Sequence, residues 1–189
     1  MRIRATVRRS FSVILCLGAI VSSSGVPSQA SSSTPQCNTS NLSLGFGDRI
    51  SAMTGEMGDV YTLTNRGKFT CHLFGYPGIS LYDSKGRILP FKYTRSSSHY
   101  MTHVAPKTVT LLPRARAYFF IAKYRCDKGD AVEAMTIRVY PPNARQQLVG
   151  LVSVDIAMSV GTLSYCKGGP KNPGQVIDVS PVRATPRYL

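Results

Sequence analysis

Acidic side chains are scarce in this chain: nine Asp and Glu stand against 23 Lys and Arg in 189 residues. The nine are scattered, and the one local group, Asp127, Asp130 and Glu133 around Gly129, falls in a loop where solvated charges are ordinary. No Gly-x-Ser-x-Gly elbow is present, since Gly78-Ile79-Ser80 runs on into Leu81-Tyr82. Cys71 and His72 are adjacent in an extended stretch, so their side chains point to opposite faces and form no nucleophile–base dyad. These absences argue against a hydrolase, and the expectation is a protein that is not an enzyme. Long apolar runs are missing too. The one run, Phe11 to Val21, is about half the ~20 residues a spanning helix needs. Helical periodicity never extends beyond a turn or two. Hydrophobic residues nonetheless make up 43% of the chain and charged ones only 17%, which suits one packed domain.

The first thirty residues have the order of a signal peptide. Arg2, Arg4, Arg8 and Arg9 precede the apolar run, and a polar stretch ends in Ser28-Gln29-Ala30, with small residues at the two positions a signal peptidase reads. Arg8-Arg9-Ser10-Phe11 is similar to a twin-arginine signal, although ordinary Sec export is the default reading of one arginine pair. Cys16 lies inside the apolar run, and Leu15 before it is not the small residue a lipoprotein site uses. The expected mature chain is therefore exported, cleaved near Ala30, and carries no transmembrane segment. Without its first four arginines it keeps 19 basic groups against nine acids. Such a surface favours polyanions. Outside a cell, an anionic envelope polymer, a lipid surface or a protein partner is expected before nucleic acid.

Residues 31–36 form a Ser/Thr/Pro lead, expected to be flexible. From Cys37 the pattern has period two. Strands are expected at Leu42 to Phe46, Val60 to Asn65, Ile79 to Asp83, Val109 to Leu112, Ala117 to Tyr124, Met135 to Tyr140, Val152 to Met158 and Val176 to Val179. Asp83-Ser84-Lys85-Gly86 reads as a turn. Ala117 to Tyr124 is apolar on both parities at its centre, as a central strand would be. Short strands at regular spacing predict an all-β, immunoglobulin-like sandwich of antiparallel strands over residues 37–182, with residues 183–189 as a tail.

Four cysteines remain after cleavage: Cys37, Cys71, Cys126 and Cys166. An even number in an oxidising compartment implies disulfides, with three pairings open. Nested hairpins favour Cys37–Cys71 and Cys126–Cys166, because each pair shares a midpoint with a neighbouring strand pair. Cys71 and Cys126 are also symmetric, about the loop near residue 98, so that alternative stays open.

Two constellations are candidate sites. In His99-Tyr100-Met101-Thr102-His103, an extended backbone would place His99, Met101 and His103 on one face, about 7 Å apart. Imidazole with thioether suits copper. The competing reading has Met101 in the core and both histidines in water beside Ser96-Ser97-Ser98. The second constellation is a basic stretch interleaved with aromatics, in which Arg114, Arg116, Lys123 and Arg125 are the candidate anion-binding residues. No cofactor is expected unless the copper reading holds.

Leu63-Thr64-Asn65-Arg66-Gly67, followed by Thr70-Cys71 and by Gly75-Tyr76-Pro77-Gly78, resembles the signature of a family of exported actinobacterial domains of unknown function. Cys37 and Cys71 match that family's opening Cys and its Thr-Cys. Val109 to Phe119 resembles its strand–Pro–Gly–strand segment, with Arg114 where glycine is usual. The resemblance implies a secreted or wall-associated β-sandwich. It implies no established activity and supplies no catalytic residues.

Overall fold

A computed structural model describes residues 33–51, 55–95, 103–126, 130–152, 163–169 and 171–187. Twelve strands are named in chain order: β1 (Leu42–Ser51), β2 (Glu56–Asn65), β3 (Cys71–Leu73), β4 (Gly78–Tyr82), β5 (Lys92–Thr94), β6 (Val109–Leu111), β7 (Arg116–Tyr124), β8 (Ala131–Val132), β9 (Thr136–Tyr140), β10 (Leu148–Leu151), β11 (Tyr165–Cys166) and β12 (Val176–Val179). Among the described residues helical structure is confined to 3-10 pieces, at Thr39–Asn41, at Gly55 and at Pro173–Gln175, and no helix among them is long and apolar enough to cross a membrane.

The sheet order explains the sequence pattern. Five strands run β1-β2-β7-β12-β5, three run β10-β9-β4, and β3-β6 and β11-β8 form small pairs. Pairing is antiparallel except between β12 and β5, which are parallel. Alternate residues of the two larger sheets meet in one core. Tyr61, Leu63, Phe119, Ile121, Ile177 and Val179 enter it from the first sheet, and Ile79, Leu81, Ile137 and Val139 from the second. Two sheets sharing one apolar layer form a sandwich. β7 sits in the middle of the five, and its other parity is also buried: Phe120 and Ala122 pack with Val60 on the opposite face. That double burial is why this strand is apolar on both parities.

Local departures have local causes. Phe46 shares the parity of Leu42 and Leu44, yet it is 41% exposed. β1 is an edge strand whose register shifts between Phe46 and Asp48, and the Phe46 ring packs edge-to-face with that of Tyr61, their centroids 5.7 Å apart. The expected turn after β4 is present, with Gly86 N–H donating to the Asp83 carbonyl and Gly86 at φ 71°. The Asp83 carboxylate accepts from the backbone N–H groups of Lys85 and Arg87. Those backbone bonds, Arg87's first, hold its carboxyl below the usual carboxylate range. Of the strand expected at Val152 to Met158, only Val152 lies within the described residues. The short strands β5, β8, β10 and β11 carried no clear alternation.

The two disulfides are Cys37–Cys71 and Cys126–Cys166. The first places the N-terminal lead beside β3. His72 N–H donates to the Pro35 carbonyl, Cys37 N–H donates to the His72 carbonyl, and the His72 ring Nδ1 lies 2.7 Å from the Thr34 carbonyl. The lead expected to be flexible is therefore bonded from Thr34 onward, because the bridge at Cys37 presents its backbone to the edge of β3. At the other end, Arg183 opens the stretch expected as a tail, yet its backbone exchanges hydrogen bonds of 2.7 and 2.8 Å with Tyr118.

Candidate functional site

One end of the sandwich gathers exposed apolar and basic side chains. It is built by the loop from β2 to β3 and the turn from β6 to β7. Asn65, 1% exposed, ties them together. Its Nδ2 donates to the carbonyls of Phe69 (2.9 Å) and Leu111 (3.0 Å), and its Oδ1 accepts from Gly67 N–H (2.9 Å). Its backbone exchanges two further bonds with Arg114 and Ala115. Residues more than forty positions apart are thus held to one asparagine, and Cys71, at the base of the first loop, is fixed by its bridge.

What these loops present is unusual for a soluble surface. Phe69 is 81% exposed and Leu112 62%. Arg66 and Lys68 in the first loop, Arg114 in the turn and Arg116 at the start of β7 are all exposed, and neither loop contains an acid. Arg66 Nε donates to Ser43 Oγ at 2.8 Å, which holds one guanidinium against the start of β1.

Arg114 has a positive φ of 69°. Leu112-Pro113-Arg114-Ala115 closes as a turn, with Ala115 N–H donating to the Leu112 carbonyl at 2.9 Å. Proline then occupies the second position and the left-handed residue the third, where type II turns prefer glycine. The backbone keeps the glycine conformation although the residue is arginine. Holding an L-residue there costs roughly 1–2 kcal/mol, partly offset by the greater freedom that glycine gives the unfolded chain. Arg114→Gly should therefore raise stability by about 1 kcal/mol in urea denaturation while weakening any contact made through this end.

The half of the chain that builds this end and the half that closes the sandwich fall within one family match, over residues 37–183. The chain belongs to the family described as Domain of unknown function (DUF4232). No curated protein and no solved structure matches it significantly.

Within the DUF4232 domain the four basic residues singled out from the sequence separate. Arg114 and Arg116 join the Phe69 end. Arg125 is exposed at the opposite end of β7, about nine residues or ~30 Å away. Lys123 is not on the surface at all, being 1% exposed. It shares the parity of Phe119 and Ile121, so the pleat that buries those two also buries it. Arg66, Lys68, Phe69 and Leu112 were not marked as a site from the sequence. Their motif reads locally as a turn, and nothing local says which other loop it meets.

The remaining candidates are quickly placed. His103 is exposed, whereas His99 and Met101 lie outside the described residues. Among the described residues no three His, Cys, Asp or Glu side chains come together as a metal site would require. Asp130 is exposed and pairs with Lys167 at 3.9 Å, Glu133 is exposed, and Asp127 lies outside the described residues. Two clefts, of about 380 and 430 Å³, are lined by Pro77, Ile79, Tyr93 and Arg95, and by Val104, Lys107, Val182 and Arg183, among others. Among the described residues, neither brings a carboxylate or an imidazole to its wall.

Proposed function

We propose that this protein is an exported, non-enzymatic binding module that docks on an anionic surface of the cell envelope through the Phe69–Leu112 end of its sandwich. One observation carries the reading: two exposed apolar side chains stand on loops tied by one buried asparagine, and these loops with the start of β7 carry four exposed cations and no acid. A cation close to an anionic membrane contributes about 1 kcal/mol, and an apolar side chain beside it adds to that by leaving water. Arg114 in a glycine conformation supports the same reading, since a strained residue retained at a surface is a reason to look for its use. Export is supported by the ordering of residues 1–30 and by two disulfides, which persist in oxidising compartments.

The test is co-sedimentation of the exported chain with vesicles of phosphatidylglycerol, vesicles of phosphatidylcholine, and isolated wall polymer. Retention on the anionic vesicles is expected, falling steeply as salt rises. Phe69→Ala should weaken it by about tenfold, in line with the value of one large buried apolar group. Retention on wall polymer that ignores Phe69 but responds to salt would place the ligand among soluble polyanions. Equal retention on neutral vesicles, or indifference to salt, would sink the proposal.

A further inference from the structure

Lys123 has no role at the basic surface, and its actual surroundings are more informative. Its ammonium lies in the interior beside the second disulfide, with Nζ 3.7 Å from Cys166 Sγ and 2.6 Å from the Tyr124 carbonyl, to which it donates. Burial alone lowers its pKa, to about 8, and no carboxylate contributes. At neutral pH it therefore remains mostly a cation, held against a sulfur atom. The two sulfurs differ in access. Cys166 is completely buried, and Gly174 packs so closely that a Cβ there would overlap Cys166 Sγ. Cys126 is half-buried at the end of β7.

We infer that Cys126–Cys166 is an exchangeable disulfide, opened by an external dithiol at Cys126 with Cys166 as the leaving sulfur, and that the Lys123 ammonium stabilises the thiolate that leaves. The direction follows from access and charge. A thiolate reaches only the half-buried sulfur, and exchange is faster when the departing sulfur is the better-stabilised thiolate. In the first step the incoming thiolate forms a bond to Cys126 Sγ. The Cys126–Cys166 bond breaks, and its electron pair stays on Cys166 Sγ, facing Lys123 Nζ. The dithiol's second thiolate then attacks its own sulfur in the mixed disulfide and releases Cys126, which takes a proton from solvent. The chain is reduced by two electrons and the dithiol is oxidised to its disulfide. Cys37–Cys71 has no such neighbour: among the described residues, the polar contacts beside it are those of the His72 backbone and ring.

The experiment is timed reduction of the folded chain by dithiothreitol at pH 7, quenched with acid and followed by alkylation under denaturing conditions and mass mapping of each cysteine. Cys126 and Cys166 should become labelled before Cys37 and Cys71, at a rate proportional to dithiothreitol concentration, which marks attack on the folded chain. Lys123→Met should slow that step roughly tenfold and leave the Cys37–Cys71 rate unchanged, and Lys123→Gln repeats the test if Met packs poorly. Three results would each overturn the inference. These are earlier reduction of Cys37–Cys71, a rate independent of dithiothreitol, and a Lys123→Met variant that is as fast as the parent or slows both bridges equally.

Discussion

Replacing Asn65 by Ala should cost the fold about 3 kcal/mol, a fall of roughly 6–12 °C in midpoint for a domain of this size. The side chain makes three hydrogen bonds, to the Phe69 and Leu111 carbonyls and from Gly67 N–H, and is itself buried. A typical bond contributes about 1 kcal/mol net, and an acceptor left dry loses more than its bond. The Leu111 carbonyl is in that position, because Leu111 is buried and alanine offers no donor. The two backbone bonds at Asn65 survive the change, so β2 should persist while both loops loosen. Asn65→Asp is the sharper variant: it keeps the acceptor for Gly67 but turns an oxygen toward two carbonyls, and should be worse than Ala. Urea denaturation measures the first effect. Vesicle retention at a temperature where the variant is still folded measures the second, and it should fall although no surface residue has changed. An Ala variant of parental stability would show that Asn65 does not hold this end together.

Replacing Lys123 by Met should have the opposite sign, raising stability by about 3 kcal/mol at pH 7. The folded chain gives up the Lys123 proton near pH 8, where an exposed lysine keeps it to 10.5. Below pH 8 both states are protonated, and the folded state bears the full penalty of a buried charge. Between 8 and 10.5 the unfolded chain binds more protons than the folded one, so stability of the parent rises with pH through that window. Above it the penalty is gone. The gain from Lys123→Met should accordingly be largest at neutral pH and should shrink toward zero by pH 10.5. Paired unfolding curves of the parent and the variant at pH 7 and pH 10.5 read this directly. A gap that stays constant would mean that packing, rather than charge, separates the two proteins. A lysine that weakens the fold while facing a disulfide sulfur is also what the exchange inference needs: one substitution should strengthen the protein and slow its reduction.

Much of the architecture was legible because strand alternation is a local property. Leu63, Ile79, Ile137 and Val179 announce their inward faces through their immediate neighbours, and β7 announces its central position by being apolar on both parities. The turn at Asp83 to Gly86 and the one at Asn65 to Gly67 are likewise written in residues whose side chains bond their own backbone. Lys123 shows where this reading stopped short. Its parity with Phe119 and Ile121 points inward, while its charge by itself points to the surface with Arg114 and Arg125.

The longer strand segments, the turn chemistry and the cationic excess are legible in the chain alone, since each depends on residue type and on neighbours a few positions away. Which loops meet is a property of the folded sheets. The loops that carry Phe69 and Leu112 meet because β2 pairs with β7 and β3 with β6 in a particular register, and Asn65 bridges the loops those pairings bring together. The fold likewise decides that Arg114 takes a glycine's backbone conformation, and that a buried ammonium rests on Cys166. Sheet order and register are set by the burial of the whole apolar layer, a sum over distant residues that no single segment carries.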